Sequence, residues 1–170
     1  QEELDSHDWD LFFGHRRLAV LDVSGAGHQP MSDLTRNIWL AYNGEIYNFA
    51  ALRHQLEEAG HVFSSNSDSE VLIHGYEEWD ATGLLARVAG MFAFAIWDKP
   101  KRKLLLGRDR LGIKPLYYWV DQQMIVFGSE LKALLAHPQI ERSLDWNAMD
   151  QFLTLEYIPA PRTIFAGISK

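Results

Sequence analysis

The sequence Met91-Phe92-Ala93-Phe94-Ala95-Ile96-Trp97-Asp98 is an almost unbroken apolar run near the middle of the chain. A run of this length without polar alternation predicts a strand whose two faces are both buried. Shorter β-rich segments bounded by turn residues lie on either side of it. The strands predicted from these segments cover residues 12–23, 37–42, 103–106, 115–120 and 124–127.

Helical patterns separate the early strands from the central run and follow the last strand. Residues 48–59 carry two leucines spaced four apart, and Gly60 is a helix stop signal. Ser67 is followed three residues later by Glu70, which has the form of a capping box and predicts that the next helix opens there. Two further helices are predicted at 130–136 and 146–155.

This order of elements predicts an α+β fold, mostly antiparallel sheet with helices packed outside it. A chain of 170 residues fits one domain, 1–170, that can bury one proper core. An aromatic share of 12% argues against a disordered segment.

The charge pattern excludes several functional classes. The net charge is -7, whereas nucleic-acid binding normally shows a basic excess or stripe. The one dense basic run, residues 99–103, lies between two predicted strands and is interpreted as a solvated hairpin turn. No stretch of 18 apolar residues is present, so no membrane span is expected.

The chain contains no cysteine, which excludes disulfides, thiolate zinc sites and a cysteine nucleophile within these residues. This composition is consistent with a cytoplasmic location. The seven histidines include no pair spaced four apart with a glutamate on a helix, so no metal site is predicted.

Asn43 and Gly44 lie between a predicted strand and a predicted helix. The dipeptide favours a turn, because both residues tolerate positive φ. The same turn would expose two donors, the Gly44 N–H and the Asn43 side-chain amide, which can form an oxyanion hole.

Two charged residues have both a structural and a functional interpretation. Arg17 enters an apolar run, where it is either an edge residue or a planar fork for a carboxylate. Asp68, in a first helical turn, either compensates the helix dipole or holds an ammonium group together with Glu45. The glycine- and proline-marked segment 107–118 lacks the spacing of phosphate loops and is interpreted as architectural.

Taken together and in order, these segments resemble one family from about residue 12 to the end of the chain. The resemblance is carried by Gly14-His15-Arg16-Arg17-Leu18-Ala19, Gly27-His28-Gln29-Pro30-Met31, Asn43-Gly44-Glu45-Ile46-Tyr47-Asn48, Ser67-Asp68-Ser69-Glu70-Val71, Gly90-Met91-Phe92-Ala93-Phe94-Ala95, Gly112-Ile113-Lys114-Pro115-Leu116-Tyr117-Tyr118 and Ser129-Glu130-Leu131-Lys132-Ala133-Leu134. These segments are similar to the class II glutamine amidotransferase domain of the asparagine synthetases.

The resemblance implies the N-terminal-nucleophile hydrolase fold, an αββα sandwich of two mostly antiparallel sheets between helical layers. It also implies a mechanism, in which an N-terminal cysteine attacks the side-chain amide of glutamine with its own α-amine as general base. By match to the motif, Asn43 and the Gly44 N–H would stabilise the oxyanion.

The resemblance assigns the remaining site residues to substrate binding. Arg17 would clamp the α-carboxylate of L-glutamine, and Glu45 and Asp68 would hold its α-ammonium. Backbone groups of Leu18, Ala19, Val20 and Leu21 would line the pocket. The domain itself needs no cofactor or metal. Its ammonia would pass to a C-terminal synthetase domain of the same polypeptide, which uses ATP and magnesium to convert aspartate to asparagine.

The sequence departs from the family in lacking the cysteine and the synthetase domain. We therefore expect these residues to be part of a longer enzyme and not to hydrolyse glutamine by themselves. Two alternatives stay open: an amidotransferase with a different acceptor, and a non-catalytic module that binds glutamine or a partner. Homodimers are common among bacterial relatives, but no interface is identifiable here.

Overall fold

The computed structural model describes residues 10–16 and 27–170. Residues 11–16 form neither helix nor strand, so the predicted strand at 12–23 is wrong over its first part. The remainder of that prediction, residues 17–23, lies outside the described residues. The chain divides into two compact units. The first is formed by the chain up to Gly90 with Phe94–Leu106, and the second by Met91–Ala93 with Gly107–Lys170.

Within the described part of the chain, four strands form one sheet in the order β1-β2-β3-β4. Their bounds are Met31–Ser32 for β1, Ile38–Ile46 for β2, Gly90–Asp98 for β3 and Lys103–Arg108 for β4. The predicted central strand is confirmed as β3, whose middle residues are buried on both faces. The predicted strand at 37–42 is confirmed but continues four residues further, to Ile46.

Strands β2 and β3 run antiparallel in one continuous register. The Lys99 N–H donates to the Asn37 carbonyl at one end, and the Tyr47 N–H donates to the Ala89 carbonyl at the other, both at 2.8 Å. The same number of residues separates the two bonds on β2 and on β3, so neither strand has an extra residue relative to the other over this stretch. Odd-numbered residues of β2 therefore direct their N–H groups toward β3, and even-numbered residues direct theirs toward the β1 edge.

Among its described residues, the first unit also contains two helices, α1 (Phe49–Glu58) and α2 (Ser69–Arg87). Both were predicted, and α1 ends before Gly60 as expected. Helix α2 packs on α1 and on β2, and it breaks at Asp80, whose carboxylate caps the second part through the Thr82 and Gly83 N–H groups. Among the described residues, no helix has the length and apolarity needed to cross a membrane.

The predicted capping box at the start of α2 is wrong. Glu70 does not reach back to Ser67; its carboxylate accepts hydrogen bonds from the N–H and hydroxyl groups of Ser64 and Ser65, at 2.6–2.9 Å. The Ser67 N–H instead donates to the Ser65 hydroxyl at 3.2 Å. Glu70 thus fixes the segment that precedes α2.

The connection between β3 and β4 confirms the predicted hairpin turn. Asp98 is buried and accepts from the Lys101 N–H at 3.1 Å, while the Lys101 ammonium lies 2.7 Å from its other oxygen. Burial alone raises the pKa of Asp98, but the bonds from Lys101 and from the Tyr76 hydroxyl outweigh it and lower the pKa.

The second unit contains a three-stranded sheet in the order β6-β5-β7. Its elements are β5 (Tyr117–Val120), β6 (Ile125–Gly128), α3 (Leu131–Leu134), α4 (Trp146–Leu155) and β7 (Ile168–Ser169). Both pairings are antiparallel. A small core of Leu134, Ile140 and Ile168 holds this unit together.

The segment 107–118 is architectural, as predicted. Asp109 is buried and accepts from the N–H groups of Ile113 and Lys114 at 2.9 and 3.0 Å. The Arg108 guanidinium donates to the carbonyls of Gly112 and Lys114, both at 2.7 Å. These bonds hold the turn together from within.

Gly90→Ala is expected to destabilise the protein by about 2–3 kcal/mol, as overpacking against rigid atoms does. A Cβ at Gly90 would lie 2.1 Å from the Glu45 carbonyl oxygen, which is backbone and cannot move aside. Gly14→Ala is the control, since its Cβ would meet only a Phe12 side-chain atom at 3.6 Å. Urea unfolding of the three proteins measures the difference, and equal stabilities of both variants would contradict the close approach of β2 and β3.

Glu70→Gln is expected to flatten the acid dependence of stability. Burial raises the pKa of Glu70, but hydrogen bonds from His74, Ser65 and Ser64 outweigh it and hold the pKa at about 2, against an ordinary value of 4.5. A lowered folded-state pKa means that the stabilisation is complete above the ordinary value and is lost as the pH falls toward 2.

The shift in the pKa of Glu70 corresponds to roughly 3 kcal/mol of folding stability, of which about 2 kcal/mol should be lost between pH 6 and pH 3. The free energy of unfolding of the wild type should fall by that much more than that of Glu70→Gln over this range. Parallel profiles for the two proteins would show that Glu70 titrates normally.

Candidate functional site

Asn43, Gly44 and Glu45 lie inside strand β2 and not in a turn, so the predicted turn is wrong. Gly44 has a φ of 158°, which is nearly extended and carries the strand onward. The register with β3 continues to Tyr47 and overrides the local turn preference of Asn-Gly.

Side chains alternate between the two faces of the sheet along β2, and this fixes the direction of each polar group of Asn43, Gly44 and Glu45. The buried residues Tyr42 and Ile46 lie on one face, so the side chains of Asn43 and Glu45 leave from the opposite face. The Gly44 N–H points toward the β1 edge, as the Ile46 N–H does. Among residues 10–16 and 27–170, β1 pairs with this edge of β2 only at Trp39 and Leu40, so it does not cover the edge at Gly44.

Asp68 lies at the start of α2 and is joined to this same edge of β2. Its Oδ2 accepts hydrogen bonds from the Tyr42 hydroxyl at 2.7 Å and from the Ile46 N–H at 2.9 Å. The residue is 5% exposed, and its side chain makes no capping bond to α2. The carboxylate therefore links the end of β2 to the start of α2.

The carboxylates of Asp68 and Glu45 both act on the phenol of Tyr42. Burial raises the pKa of Tyr42 most, followed by the charge of Asp68, its hydrogen bond and the charge of Glu45. Tyr42 is therefore a neutral donor that fixes one oxygen of Asp68. No local signal in the sequence pointed to Asp68 as the partner of Tyr42.

The structure thus brings together Asn43, Gly44, Glu45 and Asp68, four of the residues predicted from sequence. Asn43 and Gly44 are half-buried and Glu45 is exposed. Their arrangement offers two N–H donors and two carboxylates along one stretch of strand. The remaining predicted residues lie outside the described residues, namely Arg17, Leu18, Ala19, Val20 and Leu21.

Comparison with known proteins identifies relatives over nearly the whole chain. Residues 4–170 match the family model of the glutamine amidotransferase domain. The chain is 42% identical to asparagine synthetase [glutamine-hydrolyzing] 3 of Bacillus subtilis, over 98% of this chain and 28% of the relative. It is 39% identical to asparagine synthetase [glutamine-hydrolyzing] 1 of the same organism, over 96% of this chain and 26% of the relative.

A solved structure supports the same relationship. Glutamine phosphoribosylpyrophosphate amidotransferase from B. subtilis aligns with a TM-score of 0.59 and 27% identity, over 71% of this chain and 28% of that one. This similarity confirms the predicted α+β fold class of the N-terminal-nucleophile hydrolases. The chain spans about a quarter of the length of the curated relatives that it matches. It belongs to the class II glutamine amidotransferase domain family, in the group found in glutamine-hydrolysing asparagine synthetases.

Proposed function

We propose that these residues form the glutaminase domain of a glutamine-hydrolysing asparagine synthetase, which releases ammonia from the side-chain amide of glutamine. The observation that carries this proposal is the edge of β2. There the N–H groups of Gly44 and Ile46 point the same way, out from the strand edge. The Ile46 N–H donates to Asp68. One edge then presents a donor for the amide oxygen and a carboxylate for the ammonium.

The reacting amide needs donors where negative charge develops. Attack on its carbonyl carbon turns the oxygen into an oxyanion, which the Gly44 N–H and the Asn43 side-chain amide would stabilise. A backbone donor in a strand is held rigidly by the register with β3, so little reorganisation is needed during the reaction. The half-buried position of both residues reduces the competition from water.

The spacing along the strand matches the length of the substrate. The N–H groups of Gly44 and Ile46 are two residues apart, which is about 7 Å in a strand. An extended glutamine separates its side-chain oxygen from its α-nitrogen by about 5–6 Å, from standard bond lengths. A glutamine lying along this edge would reach from the Gly44 N–H to the carboxylate of Asp68.

Charged groups at both ends would select a free amino acid. Oδ2 of Asp68 is engaged by Tyr42 and Ile46, so Oδ1 is the atom that we assign to the ammonium. Glu45 would add a second negative charge. Arg17 would clamp the α-carboxylate, and backbone groups of the segment Leu18 to Leu21 would line the pocket. An unpaired charge is costly to bury, so a substrate without an α-ammonium or without an α-carboxylate would leave a charged group of the protein unpaired and would bind poorly.

The chemistry requires a nucleophile that the 170 residues do not contain, since they include no cysteine. In this proposal the cysteine is supplied from outside these residues, and without it they bind glutamine but do not hydrolyse it. Ammonia would pass to an ATP- and magnesium-dependent synthetase domain of the same polypeptide, which converts aspartate to asparagine. The names of the curated relatives and their greater length support this assignment.

The absence of cysteine also favours a second candidate, a non-catalytic module that binds glutamine. Both candidates use the same pocket. They differ in whether turnover appears once a cysteine is supplied.

L-Glutamine is expected to bind the protein in a calorimetric titration, and L-asparagine is expected not to, because its amide cannot reach the donors when its ammonium is held. Glu45→Gln should weaken glutamine binding by about 10-fold, in line with the loss of one charged hydrogen bond. Glu58→Gln removes an exposed carboxylate from α1 and is the matched control. Equal effects of the two substitutions would argue against Glu45 as an ammonium ligand.

Asn43→Ala is expected to lower kcat by about 10²–10³ with little change in KM, because its donor acts mainly in the transition state. The measurement uses a protein in which a segment beginning with Met-Cys-Gly precedes Gln1, and it follows glutamate release. Turnover in the parent that Asn43→Ala leaves unchanged would refute the oxyanion assignment. Glutamine binding without any turnover in the parent would favour the non-catalytic module.

A further inference from the structure

Two histidines and a glutamate meet at a position that the proposed glutamine site does not use. His61 follows α1, and His74 and Glu77 lie on α2 within the first compact unit. One ligand atom from each residue lies within 4.8 Å of the other two. The histidines are 13 residues apart in sequence, far from the spacing of four that indicates a pair of metal ligands on one helix.

The distances between these atoms are those of ligands around a single ion. His61 Nδ1 lies 3.2 Å from His74 Nδ1, which in turn lies 2.9 Å from Glu77 Oε2. The third separation, from His61 Nδ1 to Glu77 Oε2, is 3.7 Å. Tetrahedral ligands at zinc bond lengths of 2.0–2.1 Å are about 3.3 Å apart, which is close to the mean of the three distances.

The outer nitrogen of each ring faces a second carboxylate. His61 Nε2 lies 3.2 Å from Glu78 Oε2, and His74 Nε2 lies 3.6 Å from Glu70 Oε1. A proton on each Nε2 leaves both Nδ1 lone pairs directed at each other and at Glu77. Metal-binding histidines characteristically have this arrangement, in which a carboxylate holds the ring and fixes its tautomer.

The rings are held in place before any ion binds. His74 is 8% exposed, and Phe63 packs edge-on against it with centroids 4.7 Å apart. Glu70 is fixed by its four bonds to the segment before α2. A preformed set of ligands loses little entropy on binding.

We propose that His61 Nδ1, His74 Nδ1 and a Glu77 oxygen bind one zinc ion, with water as the fourth ligand. Two imidazoles and a carboxylate suit zinc better than calcium or magnesium, which prefer oxygen ligands. The ion ties the segment after α1 to the middle of α2. None of the three ligands is among the residues assigned to glutamine, and we assign the ion a structural role.

The test is a competition titration of tag-free protein with zinc chloride against a chromophoric chelator, alongside the visible spectrum with cobalt(II). We expect one ion per chain, intense absorption from tetrahedral cobalt, and a zinc-dependent rise in the melting temperature. His61→Gln and Glu77→Gln should each weaken zinc binding by more than about 100-fold, and Glu78→Gln by about 10-fold, as loss of an outer partner does.

His54→Gln is the matched control, because His54 is exposed and pairs with a glutamate on α1 without a second histidine. It should bind zinc as the wild type does. Circular dichroism checks that each variant is folded, and Glu77→Gln keeps the size of the side chain if His61→Gln fails to fold. No stoichiometric binding by the wild type would overturn the proposal, and so would equal affinity in the wild type and the folded ligand variants.

Discussion

The hydrogen bonds that Asp68 accepts from Tyr42 and Ile46 are the contact on which the rest of the site depends. They join the edge of β2 to the start of α2, two elements that are 22 residues apart along the chain. One carboxylate oxygen receives both donors, so the end of the strand and the beginning of the helix have a fixed separation. The same edge presents the Gly44 N–H, and its direction follows from the register that β3 imposes on β2.

Buried carboxylates play a similar role elsewhere in the described part of the chain. Each of the buried acids accepts at least one backbone N–H, and each lies at a turn or at the end of an element. These residues are Asp33, Asp68, Glu70, Asp98 and Asp109. For Asp33 and Asp109, burial raises the pKa but the hydrogen bonds outweigh it, so the pKa lies below its usual value. An acidic chain of net charge -7 thus uses part of its charge to fix its own connections.

Local patterns predicted the elements that depend on local contacts. The helix at 146–155 was predicted with its observed bounds, and its start is fixed locally, where Asp145 accepts hydrogen bonds from the N–H groups of Asn147 and Ala148. The central strand was recognisable because both of its faces are buried. The two-residue strands at Met31–Ser32 and Ile168–Ser169 were not predicted, since segments this short are defined only by the strands that they pair with.

The site was predictable in composition but not in geometry. The sequence alone indicated Asn43, Gly44, Glu45 and Asp68 through resemblance to a family, yet it placed the first two in a turn. Pairing with β3 extends the strand through them, and only that pairing gives the Gly44 N–H its direction. The histidine cluster was missed for a similar reason, because its members come together through packing of α1 on α2.

In the proposed complex, glutamine lies along the edge of β2 with its amide oxygen on the Gly44 N–H. The most direct measurement is the set of backbone and side-chain amide chemical shifts of the ¹⁵N-labelled protein during titration with L-glutamine. We expect the Gly44 amide and the Asn43 side-chain amide to shift together and saturate, while the Gly60 amide beyond α1 stays unchanged. An unmoved Gly44 amide at saturating glutamine would contradict this placement of the substrate.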